Sequence, residues 1–186
     1  MRWAELDFSK CLWTIPGSRT KNHREHPVPL TNSAMSLLPP RSEVREHVFG
    51  DGPRRKGDNP RGFSGWSKSK ATLDERLLAK RQERAGPGDS VAPLPEWWLH
   101  DLRRTAATVM ADKLGVLPHI IEAVLNHVSG HRSGVAGVYN LARYEAEMRA
   151  ALTAWANHVD GIVRGIDMID PQMGGLAQAT LHGSDT

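Results

Sequence analysis

The spacing of apolar residues changes period part-way along the chain. Residues 11–16, Cys-Leu-Trp-Thr-Ile-Pro, alternate in period two and put Trp13 and Ile15 on one face, the mark of a half-buried strand. Gly17-Ser18 and Lys21-Asn22 supply turn chemistry, and Val28-Pro29-Leu30 reads as the return strand of a long hairpin. Met35 to Leu38 predicts a short helix that Pro39-Pro40 stops, and His47-Val48-Phe49 one more short strand. Residues 50–62, rich in Gly, Pro and charge, predict an exposed loop. Beyond them the period becomes helical. Helices are expected over 67–84, with Leu73, Leu77 and Leu78 at helical spacing, and over 100–114, where Gly115 ends the run. A Pro/Gly linker, 85–95, separates them. Pro118 opens a further helix with an apolar stripe of Ile120, Ile121, Val124 and Leu125. After a Gly/Ser loop at 129–137, Tyr144, Met148, Leu152, Trp155 and Val159 mark a last amphipathic helix. Residues 160–186 show no sustained period and predict a frayed tail. The expected fold is mainly α with a small antiparallel β-sheet or hairpin near the N-terminus, an α+β chain.

Composition narrows the class. The 186 residues are 39% hydrophobic and 24% charged, as in a globular domain. Neither a run of apolar residues long enough to cross a bilayer nor a secretory leader at Met1 is visible, so no membrane is expected. Cys11 is the only cysteine, which excludes an internal disulfide or a cysteine-based zinc site and suits a reducing cytoplasm. The net charge is only +3, yet residues 41–84 carry 12 basic and 7 acidic side chains. Arg54-Arg55-Lys56, Arg61, Lys68 and Lys70, interleaved with Phe63 and Trp66, suit contact with phosphates or, equally, a solvated loop and helix.

Four places along the chain carry chemistry. Lys21 lies on the hairpin, His100 and Arg103 share one helical face, His127 ends the next helix, and Tyr139 follows the glycine loop. An arginine fork matches two phosphate oxygens, a histidine beside it donates to phosphate or manages a proton, and a tyrosine can form a covalent intermediate. Each has an ordinary reading too. Lys21 suits a solvated turn, His100 a helix cap, Arg103 a surface ion pair and His127 a helix C-terminus. His127 and His131 are four apart, but Gly130 interrupts any helix between them and no third ligand follows, so no metal is expected. Tyr144 falls on the apolar stripe, which leaves Tyr139 as the candidate nucleophile. Trp97 and Trp98 are expected to pack a core ahead of the helix that bears His100.

These residues carry a resemblance. His100-Asp101-Leu102-Arg103 resembles the His-x-x-Arg motif of the tyrosine recombinases, the phage integrase family. Leu125-Asn126-His127 followed by Gly137-Val138-Tyr139-Asn140 is similar to that family's second histidine and nucleophile. Thr20-Lys21-Asn22 followed by Val28-Pro29-Leu30 resembles its lysine-bearing hairpin. The resemblance implies an integrase-like catalytic core over residues 1–159 and a flexible tail over 160–186. It implies attack of Tyr139 on a scissile phosphate to give a 3′-phosphotyrosine and a free 5′-hydroxyl. Arg103 and His127 would hold the phosphate, His100 would assist, and Lys21 would protonate the leaving oxygen, with no cofactor. Arg19, Lys21, Arg24, Lys68, Lys70 and Arg104 would contact double-stranded DNA. Self-association on DNA and a cytoplasmic, nucleoid-associated place in a bacterium are expected, with no small-molecule substrate.

The family's first catalytic arginine stands on a helix before the strand that here begins Met1-Arg2-Trp3-Ala4-Glu5-Leu6, so the chain is expected to lack that helix and the core-binding domain. Loss of one phosphate-holding arginine would cost on the order of 10²–10³ in rate. The alternative expectation is a non-catalytic DNA-binding remnant that occupies sites or pairs with an intact integrase.

Overall fold

The computed structural model describes residues 1–50, 62–85, 89–127 and 144–165. Tyr139, His131, the glycine loop at 129–137, the basic run Arg54-Arg55-Lys56 with Arg61, and residues 166–186 of the expected tail lie outside the described residues, whereas 160–163, expected to begin that tail, continue the last helix. The predicted α+β arrangement is present. Strands β1 (Leu6–Asp7), β2 (Leu12–Ile15) and β3 (His26–Pro29) form an antiparallel sheet in that order. The register pairs Leu6 with Trp13, Leu12 with Pro29 and Ile15 with His26. Pro27 and Pro29 are tolerated because β3 is an edge of this sheet, where missing amide donors leave no central ladder broken. The expected strand at Met1–Leu6 is instead a 3-10 turn over Trp3–Glu5 that runs into β1. His47 contributes a single bridge to Arg2 rather than a strand, and Val48 beside it is buried.

Helix α1 (Asn32–Ser36) begins three residues before Met35 because Thr31 caps it, its Oγ1 accepting from the Ala34 amide at 3.2 Å. Helix α2 spans Trp66–Ala85 and has no buried residue. The next helix, α3 (Leu99–Asp112), starts where Asp101 reaches back to accept from the Trp98 amide at 2.8 Å, satisfying a donor that the helix itself leaves open. Pro118 is the first residue of α4 (Pro118–Val124), where a missing amide costs nothing. Last comes α5 (Glu145–Val163), preceded by Tyr144 in the left-handed conformation at φ 48°.

The core lies where α5 packs on α4, β3 and α3. Met110, Ile120, Ile121, Met148 and Ala151 are buried there. Two polar ties fix α5 in place. Arg149 donates to the Lys10 carbonyl at 3.1 Å, and Ser33 of α1 donates to Asp160 at 2.7 Å. The stripe read from the sequence thus does face the core. Tyr144, however, is a half-buried helix cap whose ring meets His119 at 5.2 Å between centroids. The expectation for the tryptophans is corrected. Trp98 is 67% exposed, and Trp97 packs against α2, where its Nε1 donates to Asp74 at 3.0 Å and Lys70 lies 4.0 Å over its ring. Two bulky apolar residues in sequence cannot both face inward at an extended approach to a helix, because successive side chains point to opposite sides.

Truncation of Met110, only 2% exposed, to alanine is expected to lower unfolding free energy by about 2–5 kcal/mol in urea titration. The same change at Leu102, 57% exposed, should have a much smaller effect.

Candidate active site

The turn between β2 and β3 is built from its own polar residues. A 3-10 turn over Gly17–Arg19 leads into it. Gly17 is obligatory there, since a Cβ would come within 2.5 Å of the His23 carbonyl oxygen. Thr20 is buried, and its hydroxyl is shared between the carbonyls of Gly17 at 3.1 Å and Arg24 at 2.7 Å. Asn22 Oδ1 accepts from the Arg24 amide at 3.2 Å, an Asx-type closure. Lys21, between Thr20 and Asn22, is exposed and has no hydrogen-bond or ion-pair partner among the described residues.

A second tie holds the base of this turn. Glu5 accepts from the Arg2 amide at 2.9 Å and from Trp13 Nε1 at 3.1 Å, and pairs with Arg19 at 2.5 Å. Partial burial alone would raise the Glu5 carboxyl, but the Trp13 and Arg2 hydrogen bonds and the Arg19 charge outweigh it and hold the group below its usual range. Arg19 is therefore occupied by Glu5 in the free protein. Arg24 is exposed, and Arg104 is largely exposed beside Asp101 at 3.6 Å. Lys68 is exposed on α2, while Lys70 pairs with Asp74 at 2.5 Å.

The other half of the site is the end of α4. Asn126 takes φ +50°, the His127 amide donates to the Glu122 carbonyl at 2.9 Å, and the Asn126 amide to Ala123 at 3.1 Å. These two bonds are a Schellman ending, and they fix the backbone from which His127 projects, exposed. Residues distant in sequence meet the carbonyls beyond them. Arg103 Nη2 of α3 donates to the Leu125 carbonyl, and the buried His26 of β3 lies against the Val124 carbonyl. Asn22 Nδ2 donates to Asn126 Oδ1 at 2.8 Å, from 104 positions away.

The structure therefore brings together three of the motifs picked out in the sequence. Arg103 is tied two residues before His127, and Lys21 is next to the residue bonded to Asn126. His100 is exposed on the first turn of α3, three residues before Arg103 and on its side of the helix. Nη2 of Arg103 is used on Leu125, and its other N–H groups have no partner among the described residues. Among the described residues no group of three or more His, Cys, Asp or Glu is arranged to hold a metal ion.

Sequence reasoning missed Asn22, His26 and Asn126. Asn126 did have a signal, an asparagine just after an apolar helical run. Nothing local marks His26, which is buried. Its burial pulls its pKa below the ordinary value; the Val124 carbonyl opposes this, and the Arg103 charge adds to it. The neutral form is therefore the folded form. Its stabilising contribution is complete above the unfolded value of about 6.5 and is lost as pH falls through the lowered native value. Thermal unfolding should show a larger drop in Tm on acidification below about pH 6.5 for the unsubstituted chain than for His26→Gln, which carries no titrating group there.

The phage integrase family model matches residues 1–140. Prophage integrase IntA of Escherichia coli K12 is 31% identical over 161 residues, 85% of this chain and 33% of the relative. Prophage integrase IntZ of the same organism is 30% identical over 167 residues, 88% of this chain and 36% of the relative. The integrase of Shigella phage Sf6 is 25% identical over 164 residues, 88% of this chain and 38% of the relative. The chain thus spans about a third of the length of these curated relatives. No solved structure matches it significantly. Ordered motifs, a lysine turn docked on a histidine-bearing helix end, and a family match over three quarters of the chain place this protein in the phage integrase family.

Proposed function

We propose that this chain acts in site-specific DNA recombination, cutting and rejoining double-stranded DNA through a 3′-phosphotyrosine intermediate. The observation that carries the reading is the convergence on the end of α4: Arg103 bonded to Leu125, and the Lys21 turn bonded to Asn126, both beside His127. Residues 1–159 would act as the catalytic module.

In this reading Tyr139 Oη attacks the scissile phosphorus, its proton passing to a neighbouring base or water as the O–P bond forms. Arg103 and His127 donate to the non-bridging oxygens and stabilise the charge that develops on them. His100, one turn before Arg103, assists in orienting the phosphate or moving the proton. The bond from phosphorus to the 5′-oxygen breaks, and the Lys21 ammonium gives that oxygen its proton. Because the protein–DNA ester retains the phosphodiester bond energy, a 5′-hydroxyl can reverse the step and reseal the strand without a nucleotide cofactor. Exposed Lys21, Arg24, Lys68 and Arg104 would meet the phosphate backbone directly. Arg19 and Lys70 would have to exchange their carboxylate partners for phosphate, which lowers what each adds to binding. Self-association on DNA and a place at the bacterial nucleoid belong to this same proposal.

Nicked duplexes of randomised sequence, from which the cut end diffuses away, should accumulate a denaturant-resistant protein–DNA complex. Tyr139→Phe should abolish it, and Arg103→Ala should slow it on the order of 10²–10³-fold. DNA binding with no covalent product from the unsubstituted chain would instead identify a non-catalytic binder.

A further inference from the structure

The Asn22–Asn126 bond has features that turn-forming and helix-ending alone do not require. The left-handed position after α4 accepts glycine at lower cost than any other residue, and the Schellman bonds there use only backbone atoms. What asparagine adds at 126 is a side-chain acceptor, and that acceptor takes the Asn22 amide at 2.8 Å in a half-buried setting. On the other side, the Asn22 amide is oriented before it reaches Asn126. Its Oδ1 is committed to the Arg24 amide at 3.2 Å, which leaves Nδ2 as the end facing α4. Thr20 closes the turn on itself through Gly17 and Arg24 and makes no bond to α4. Asn22 is thus the hydrogen-bonding member of this turn that reaches the helix end, and it is the immediate neighbour of exposed Lys21.

We propose that Asn22 and Asn126 form a positioning pair that ties the Lys21 turn to the His127 helix end, so that proton donor and phosphate-holding imidazole keep one geometry. The proposal rests on the roles given to Lys21 and His127 above. Neither asparagine touches the reacting atoms; both act through their neighbours. Loss of the tie should let the turn move on its own, and the step that suffers is protonation of the leaving 5′-oxygen.

Asn126→Gly keeps the left-handed backbone and removes only the acceptor, while Asn126→Asp keeps an acceptor. Two measurements on the full chain separate the outcomes. Amide hydrogen exchange should be faster across residues 20–25 in Asn126→Gly and Asn22→Ala, and unchanged in Asn126→Asp. Unchanged exchange in Asn126→Gly overturns the tie. The second measurement uses the nicked duplexes with oxygen or sulfur as the bridging leaving atom, since a thiolate departs without a proton. Asn126→Gly should slow covalent trapping about tenfold on the oxygen duplex, as loss of one well-placed hydrogen bond does, and leave the sulfur duplex almost unaffected. Equal slowing on both duplexes overturns the link to Lys21 and assigns the pair a purely structural role. Absence of any Tyr139-dependent complex from the unsubstituted chain on both duplexes overturns the functional reading instead, and the exchange rates then decide the tie by themselves.

Discussion

The end of helix α4 is a problem in hydrogen bonding, and its solution organises the site. A helix leaves its last carbonyls without internal partners, and burying them unpaired costs free energy comparable to a lost hydrogen bond each. In this chain the Schellman ending satisfies the carbonyls of Glu122 and Ala123. That of Leu125 is taken by Arg103, that of Val124 faces buried His26, and the Asn126 side chain is taken by Asn22. Strand β3, its turn and helix α3 therefore meet at one point, the turn through a side-chain bond and α3 through a backbone carbonyl. His127, at that same point, inherits its surroundings from it.

That convergence depends on a rigid hairpin. Glu5 links the 3-10 turn at Trp3–Glu5 to Trp13 and Arg19, so the N-terminal segment braces both the β2 strand and the base of the lysine turn. Gly17 permits the backbone to close within contact of His23, and buried Thr20 seals the turn. From the opposite side α5 grips the β1–β2 connection through Arg149 and packs on β3. The hairpin is held at its base, its edge and its tip, which leaves Lys21 exposed on a supported turn.

Charge in this molecule is sorted by partner rather than by count. Arg19 and Lys70 are held by carboxylates, and Arg103 spends part of its fork on a carbonyl. Lys21, Arg24 and Lys68 remain exposed. A net charge of +3 thus says little about the surface a polyanion would meet.

Most of the elements follow from local pattern. Period-two spacing at residues 12–15, the proline at 118 and the apolar spacing from Met148 to Val159 act locally, so the hairpin, α4 and α5 were legible within a residue or a few. The ordered motifs around Lys21, Arg103 and His127 were legible as well, because residue type and order survive without coordinates. Local rules failed where the answer lay with a distant partner. Trp98 reads as core yet is exposed, because α2 covers only its neighbour Trp97. Asn22 reads only as a turn residue, and His26 and Asn126 carry no role in the local pattern, because their partners lie about a hundred positions away. Local propensity is written in neighbouring residues, whereas the partners of a helix's last carbonyls are chosen only when the chain has folded.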